Sequence, residues 1–331
     1  MVKIGLLGVG HLGKIHLKCL QTIDLVEIIG FYDPNEAAAT KVQQSYSEIQ
    51  RFDSLDLLIA AVDALDIVTP TSTHFELAAK AIRAGKHIFI EKPLTETVEE
   101  AEQLVKLVAQ YSVKVQVGYV ERFNPAFLAI QDIPLNPLFI EAHRLAIFNP
   151  RGTDVSVVLD LMVHDLDLVL KIVKAPLKSV QASGVAVVSR SPDIANVRLE
   201  FTNGAVANLT ASRISMKQMR KLRLFQKEAY ISLDLLDKQA QVIQLFGDKS
   251  QLTDGNLLSL ETEEGTKYIN IAQPKTEPTN AIQMELTAFA RSILYNESVV
   301  VTVEEGCETL RVAHQIIEKI EERRAVAGAF L

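Results

Sequence analysis

Residues 1–35 read MVKIGLLGVGHLGKIHLKCLQTIDLVEIIGFYDPN, and this stretch decides the fold. Val2 to Leu7 is a short apolar run of strand type that meets Gly8-Val9-Gly10-His11-Leu12-Gly13. An amphipathic stretch follows, then a second apolar run from Val26 to Tyr32. It ends on Asp33, 20 positions after the third glycine. A bare G-x-G-x-x-G means little. Set between a strand and a helix, with an acid at that distance, it reads as a dinucleotide-binding turn. Gly8 allows the tight turn, Gly10 leaves space for a pyrophosphate against the backbone, and Gly13 lets the helix pack closely on the sheet. The diphosphate then lies on the free N–H groups of the helix's first turn, around His11 and Leu12. Asp33 accepts hydrogen bonds from the adenosine ribose hydroxyls and repels a 2′-phosphate. No arginine lies within a few residues of it, so NAD is expected rather than NADP. The competing reading is a glycine-rich turn in an unrelated α/β protein. Strand, spacing and acid together disfavour it.

Composition bounds the rest. A chain of 331 residues suggests about two domains, and 48% hydrophobic residues can fill sizeable cores. A net charge of −7 disfavours a nucleic-acid partner. The basic residues of Lys217-Gln-Met-Arg220-Lys221-Leu-Arg223 alternate with apolar ones in a strand-like way and read as a solvated sheet face. No apolar stretch approaches the ~18 residues of a membrane span, and the N-terminus lacks the cationic and apolar regions of a signal peptide. Cys19 and Cys307 are far apart, without metal spacing, which fits a reducing compartment. The expectation is a cytoplasmic protein with neither a membrane nor a nucleic-acid partner.

Up to about Val120, strand and helix alternate. A weak strand near Arg51-Phe52 precedes strong ones at Ala64 to Val68, His87 to Ile90 and Lys114 to Val117. Helices are expected from Phe75 to Ala84, stopping at Gly85, and from Val98 to Tyr111, with Thr95 or Thr97 as N-cap. Repeated βα units build a parallel, doubly wound sheet of Rossmann type, with ligands beyond the C-terminal strand ends. After Arg122-Phe-Asn-Pro125 the pattern changes. Longer, alternating strands run from Leu138 to about Thr276, interrupted by a helical segment from Val155 to Val173. Asn203-Gly204 between two alternating runs marks a hairpin, and Gly247 to Gly265 reads as polar loop. Two helices, Asn280 to Tyr295 and Val303 to Ala325, close the chain. The expected fold is α/β: residues 1–121 form an NAD-binding domain. Residues 122–331 form an α+β domain with a large, mostly antiparallel, open-faced sheet, and its last helices can pack back on the first domain.

Two places carry candidate chemistry. The strand His87 to Ile90 runs into Glu91-Lys92-Pro93, which puts Lys92 at the C-terminal end of a parallel strand. A lysine there could carry a proton or hold a substrate oxygen. It could equally be a turn residue. In Val157-Val-Leu-Asp160-Leu-Met-Val-His164-Asp165-Leu-Asp167, Asp160 and His164 are four apart and share a helix face. One reading makes Asp160 a cap and His164 a satisfied core imidazole. The other makes His164 a general base with Asp160 as its orienter. Asp165 and Asp167 read as cap or supporting residues. The seven histidines show no metal-ligand spacing, so no metal is expected.

The glycine fingerprint, Glu91-Lys92-Pro93 after a late strand, and Asp160-xxx-His164 on the first helix of a second domain resemble the Gfo/Idh/MocA oxidoreductases, over essentially the whole chain. The resemblance implies NAD- or NADP-dependent oxidation or reduction of a carbinol, with Lys92, Asp160 and His164 as the catalytic group. It places Thr69, Pro70, Thr71, His74, Glu91, Lys92 and Arg122 along the cofactor. Val117 to Pro125, Glu141 to Leu145 and Pro150 to Val155 resemble the branch that acts on UDP-N-acetylhexosamines, a branch that begins a route to a diamino sugar of lipid A. The usual Gly-Gly run before the second-domain helix is replaced by Arg151-Gly152-Thr153-Asp154, in line with that branch. Arg144 and Arg151 then become candidate contacts for the UDP phosphates, beside Asp160 and His164 at the sugar. The family's open sheet implies a homodimer or homotetramer. Two alternatives stand beside this expectation: the same chemistry on a free sugar or inositol, and a dinucleotide-binding sensor without turnover.

Overall fold

A computed structural model describes residues 1–149, 155–247, 256–262 and 265–328. The chain divides into two compact units, 1–120 with 280–311 and 121–279 with 312–331.

The first unit alternates strand and helix: β1 (Val2–Leu7), α1 (His11–Leu20), β2 (Val26–Tyr32), α2 (Glu36–Ser45), β3 (Gln50–Arg51), α3 (Leu55–Ala61), β4 (Ala64–Ile67), α4 (His74–Arg83), β5 (His87–Glu91), α5 (Val98–Tyr111) and β6 (Val115–Gly118). The six strands are all parallel in the order β3-β2-β1-β4-β5-β6. That is the doubly wound order, whose direction reverses beside β1. β1, β4 and β5 are buried almost throughout, as strands covered on both faces must be. Local signals set the helix ends. Gly85 takes φ +72° after α4, and Thr97 caps α5 in a reciprocal capping box with Glu100.

The second unit holds α6 (Pro125–Leu128), β7 (Phe139–Leu145), α7 (Val163–Val173), β8 (Leu177–Val185), β9 (Ile194–Phe201), β10 (Val206–Ser212), β11 (Met219–Gln226), β12 (Ala229–Asp234), β13 (Gln239–Phe246), β14 (Asn256–Thr262) and β15 (Gly265–Ala272). The helices α8 (Ala281–Leu294) and α9 (Val303–Gly328) end the chain, with α8 in the first unit. The nine strands form one sheet, β14-β15-β13-β12-β11-β7-β10-β9-β8, in which only β7 and β10 pair in parallel. Alternation along β7, β9 and β10 buries one face against α7. Val197, Leu199, Leu209, Leu222 and Leu224 pack there with Leu166 and Val169, each contributing roughly 1.5–3 kcal/mol by burial. The hairpin expected at Asn203-Gly204 joins β9 to β10, with Gly204 at φ +86°.

Two expectations need correction. Within the stretch read as polar loop, Asn256–Thr262 is a strand paired with β15. Its alternating Leu258-Ser259-Leu260-Glu261 is short and exposed, so a neighbouring strand, not burial, holds it. The interrupting helix begins with a π turn, Val158–Met162, before α7. On β11, Lys221 and Arg223 lie on the solvated face and pair with Asp234 and Glu141, while Arg220, on the side of Leu222 and Leu224, reaches the buried Glu121. No helix among the described residues is long and apolar enough to cross a membrane.

Candidate active site

The glycine loop ends β1 and opens α1. A Cβ on Gly13 would stand 2.1 Å from the Gly8 carbonyl oxygen, and one on Gly8, at φ +86°, would stand 2.6 Å from that of Val68. Only glycine fits at either place. At Gly10 the added carbon would meet nothing within 4 Å, so the backbone there borders open space. Gly10 is also the N-cap of α1 and supplies no side-chain cap, which leaves the first-turn N–H groups of His11, Leu12 and Gly13 for a ligand. A cleft of about 560 Å³ adjoins the loop, lined by Gly8, Gly10, Asp33, Ala38, Leu55 and Thr69 among others. Apolar walls with a few polar groups suit an adenosine.

Asp33 has a double duty. One carboxylate oxygen accepts the Val9 N–H at 2.8 Å and the other the Asn35 N–H at 2.8 Å. A carboxylate offers about four acceptor sites, which leaves capacity for ribose hydroxyls while the acid also fixes the glycine loop. The sequence near Asp33 shows no arginine, yet Arg51 stands on the neighbouring strand β3. Its fork closes on Glu36 at 2.7 and 2.5 Å, so the cation nearest in topology is already matched by a carboxylate. Asp33, with acceptor capacity to spare at the end of β2, fits the free ribose hydroxyls of a dinucleotide.

Gly10 gives the cleanest check of this loop. A Cβ at Gly10 meets no neighbour, while φ −65° with ψ −155° lies outside the ordinary regions of an L residue, so Gly10→Ala is expected to lower the melting temperature slightly and weaken NAD binding at least tenfold. Calorimetric melting and NAD titration measure the two; unchanged affinity would place the pyrophosphate elsewhere.

At the end of β5, Glu91 is buried and Lys92 half-buried, and the Lys92–Pro93 peptide bond is cis. The Glu91 carboxylate accepts the backbone N–H of Lys92 at 3.1 Å. His74 stands 1% exposed at the start of α4. Its Nδ1 lies 3.0 Å from the Pro93 carbonyl oxygen and its Nε2 3.0 Å from that of Thr69. Burial lowers its affinity for a proton, against the pull of the two carbonyls. A neutral ring carries one N–H and donates to one of these two carbonyls, so His74 packs between the Thr69-Pro70-Thr71 turn and the lysine turn. Thr69 and Pro70 line the cleft, and Thr71 begins the short 3₁₀ turn beyond it.

In the second unit Asp160 lies in the π turn and His164 in the first turn of α7, both half-buried. Single π turns inside helices recur at functional sites. Across the change of pitch, four residues still span close to one turn, so the two side chains keep a common face.

The arginines behave differently from the sequence reading. Arg144 is buried, and its guanidinium closes on both Asp165 oxygens at 2.9 and 2.7 Å and on Glu121 at 2.9 Å. Arg122 closes a second fork on Asp167 at 2.6 and 2.7 Å. Both were expected at ligands, Arg144 on a phosphate and Arg122 on the cofactor. With three donors of Arg144 committed to two carboxylates, its part is to anchor α7, and Arg122 anchors the same helix through Asp167. Arg151 lies outside the described residues. Sequence reasoning missed Glu121; its only signal is an acid set between apolar Val120 and Arg122. Arg144→Met strands the buried Asp165 carboxylate, while Glu121 keeps Asn124 and Arg220, at a cost of about 3–5 kcal/mol. The melting temperature is expected to fall by roughly 6–20 °C, and a calorimetric scan with no change would mean that Asp165 is neutral without it.

A doubly wound sheet, a glycine loop open at Gly10 and an acid at the end of β2 define a dinucleotide-dependent oxidoreductase. Residues 2–119 match the model of the oxidoreductase family with an NAD-binding Rossmann fold, and residues 142–232 match the GFO/IDH/MocA C-terminal domain. The chain is 39% identical over 242 residues to UDP-N-acetylglucosamine 3-dehydrogenase of Acidithiobacillus ferrooxidans, covering 73% of this chain and 76% of that one. The solved structure of that enzyme superposes with a TM-score of 0.86 at 33% identity, over 97% of this chain and 98% of the other. Inositol 2-dehydrogenase of Rhizobium meliloti is 25% identical over 99% of both chains. The fold is shared at 22% identity with scyllo-inositol dehydrogenase of Lactobacillus casei, solved with NAD(H) and scyllo-inositol, at a TM-score of 0.77 over 98% of both chains. The chain belongs to the Gfo/Idh/MocA family and is an NAD-binding oxidoreductase.

Proposed function

We propose that this enzyme oxidises the C3 hydroxyl of UDP-N-acetylglucosamine, or of a related nucleotide sugar, to a 3-keto sugar. The likeness to the Acidithiobacillus enzyme, at 39% identity, carries the substrate reading. NAD supplies the hydride acceptor when bound. His164 takes the hydroxyl proton, and Asp160 holds the imidazole or an adjacent hydroxyl. Lys92 donates to the same hydroxyl oxygen and stabilises the negative charge that grows there. Gly8, Gly10, Gly13 and Asp33 hold the cofactor, with Thr69, Pro70 and Thr71 beside it. The proposal leaves out Arg144 and Arg122, whose forks are closed on acids.

The enzyme works in the cytoplasm, where NAD and nucleotide sugars are found, and supplies a step toward a diamino sugar of lipid A. Copies of the chain pair into a dimer or tetramer through the polar side of the second unit's sheet, where Glu141, His143, Asn196, Arg198 and Asn208 line a groove with Arg323 of α9. A panel of UDP-N-acetylhexosamines, free sugars and inositols, followed by NADH absorbance, tests the reading. Turnover of UDP-N-acetylglucosamine well above the rest supports it. Turnover confined to inositols or free sugars overturns the substrate, and NADH binding without turnover of any of them overturns the catalysis.

A further inference from the structure

Behind the lysine turn lies a buried group of ionisable side chains that cofactor and substrate binding leave unexplained. His16, on α1 and fully buried, places Nδ1 3.0 Å from Asp66 at the heart of β4 and Nε2 3.2 Å from Glu91 at the end of β5. The first contact is a hydrogen bond to both Asp66 oxygens, at 3.2 and 3.0 Å. The second is an ion pair set off the line of the N–H. The other oxygen of Glu91 accepts the Lys92 N–H. Glu285 of α8 faces the same group, fully buried, and its carboxyl oxygens meet no hydrogen-bond partner among the described residues. The edge of Phe89 closes the remaining side, its ring 5.7 Å from the imidazole.

A chain of contacts therefore runs from the helix that opens at the pyrophosphate loop to the backbone of Lys92. We infer that His16 is a positioning residue for the reaction: tied to Asp66, it fixes the Glu91 carboxylate and through it the turn that presents Lys92. The inference rests on the catalytic reading of Lys92 given above.

Charge supports the geometry. Burial opposes a charged imidazole at His16, but Asp66 and then Glu91 outweigh it and hold the proton well above the ordinary histidine range. Burial, then the neighbouring Glu91 charge, pushes the Glu285 carboxyl well up, so it stays neutral. His16 Nε2 is held 3.2 Å from one oxygen of the Glu91 carboxylate while the other oxygen accepts the Lys92 N–H. Space is restricted as well, since a Cβ on Gly118 would stand 2.8 Å from the Glu91 carboxylate. Gly118 thus bounds the carboxylate on one side, and His16 holds it on another.

The test compares His16→Gln and Glu91→Gln in the full-length enzyme, each alone and in a Lys92→Met background, by kcat, KM and the NAD dissociation constant. A misplacement of about 1 Å can cost about 100-fold. Each single change is therefore expected to lower kcat by about that factor, with KM close to unchanged and, for His16→Gln, NAD affinity close to unchanged as well, and to add little to the loss in Lys92→Met. Equal losses in both backgrounds would overturn the inference, because His16 would then act independently of the lysine. So would His16→Gln with the parent kcat. Turnover unaffected by Lys92→Met is a separate result, and it overturns the catalytic reading on which the inference rests. Nitrogen NMR of the unaltered enzyme needs no variant to fold. Both His16 nitrogens are expected to stay protonated through the neutral range, and a neutral imidazole would overturn the arrangement.

Discussion

His164→Ala is expected to lower kcat by about 10²–10⁴-fold, the range for a positioned general base, with NAD affinity unchanged. Oxidation of a carbinol releases a hydroxyl proton as the hydride leaves, and without a base that proton must go to water. In the proposed mechanism the helix holds His164 for this task. Its neighbours Asp165 and Asp167 are tied to Arg144 and Arg122 by buried forks, and the preceding π turn sets Asp160 one turn away. Alanine removes the imidazole and leaves those anchors untouched, so the melting temperature is expected to hold. The rate remaining should climb with pH, because hydroxide takes over the proton transfer. A variant with the parent kcat and a flat pH profile would remove His164 from the chemistry.

Lys92→Met is expected to cost about 10²–10³-fold in kcat, the usual loss of one preorganised donor to a developing oxyanion. Methionine keeps much of the lysine's length and removes its charge. The half-buried setting matters, because a cation is worth more to a growing negative charge where water is partly excluded. Arginine is not expected to rescue the activity, since its planar fork does not present one compact charge at one point. KM should move little, as the interaction grows chiefly in the transition state. A Lys92→Met enzyme with raised KM and intact kcat would make the lysine a binding residue only.

What could be read in the sequence follows the range of the physics involved. The glycine loop and Asp33 are set by neighbours within one βαβ unit, so spacing revealed them, whereas Lys92 at its strand end read equally as a turn residue until the family resemblance gave it a role. The cap of α5 and the Asn203-Gly204 hairpin are local in the same sense. His16 was invisible as anything but a helix residue, because Asp66 and Glu91 reach it from strands that only the folded sheet brings together. The arginines show the same limit from the other side. Arg144 looks like a phosphate ligand until Asp165 and Glu121 arrive from other elements and close its fork. The sequence shows His74 only as a residue after the fourth strand, while the fold sets its ring between the Thr69 and Pro93 carbonyls. Asn256–Thr262 depends on its partner strand and carries too little hydrophobic pattern to declare itself.

The most direct test follows the hydrogen that leaves the sugar. UDP-N-acetylglucosamine carrying deuterium at C3 is incubated with NAD and the enzyme, and the NADH formed is analysed by mass and by proton NMR at its nicotinamide C4. The account predicts that deuterium moves from the sugar to that carbon, with a 3-keto sugar left behind. NADH formed without deuterium would mean that another carbon is oxidised, and no NADH would mean that this nucleotide sugar is not the substrate.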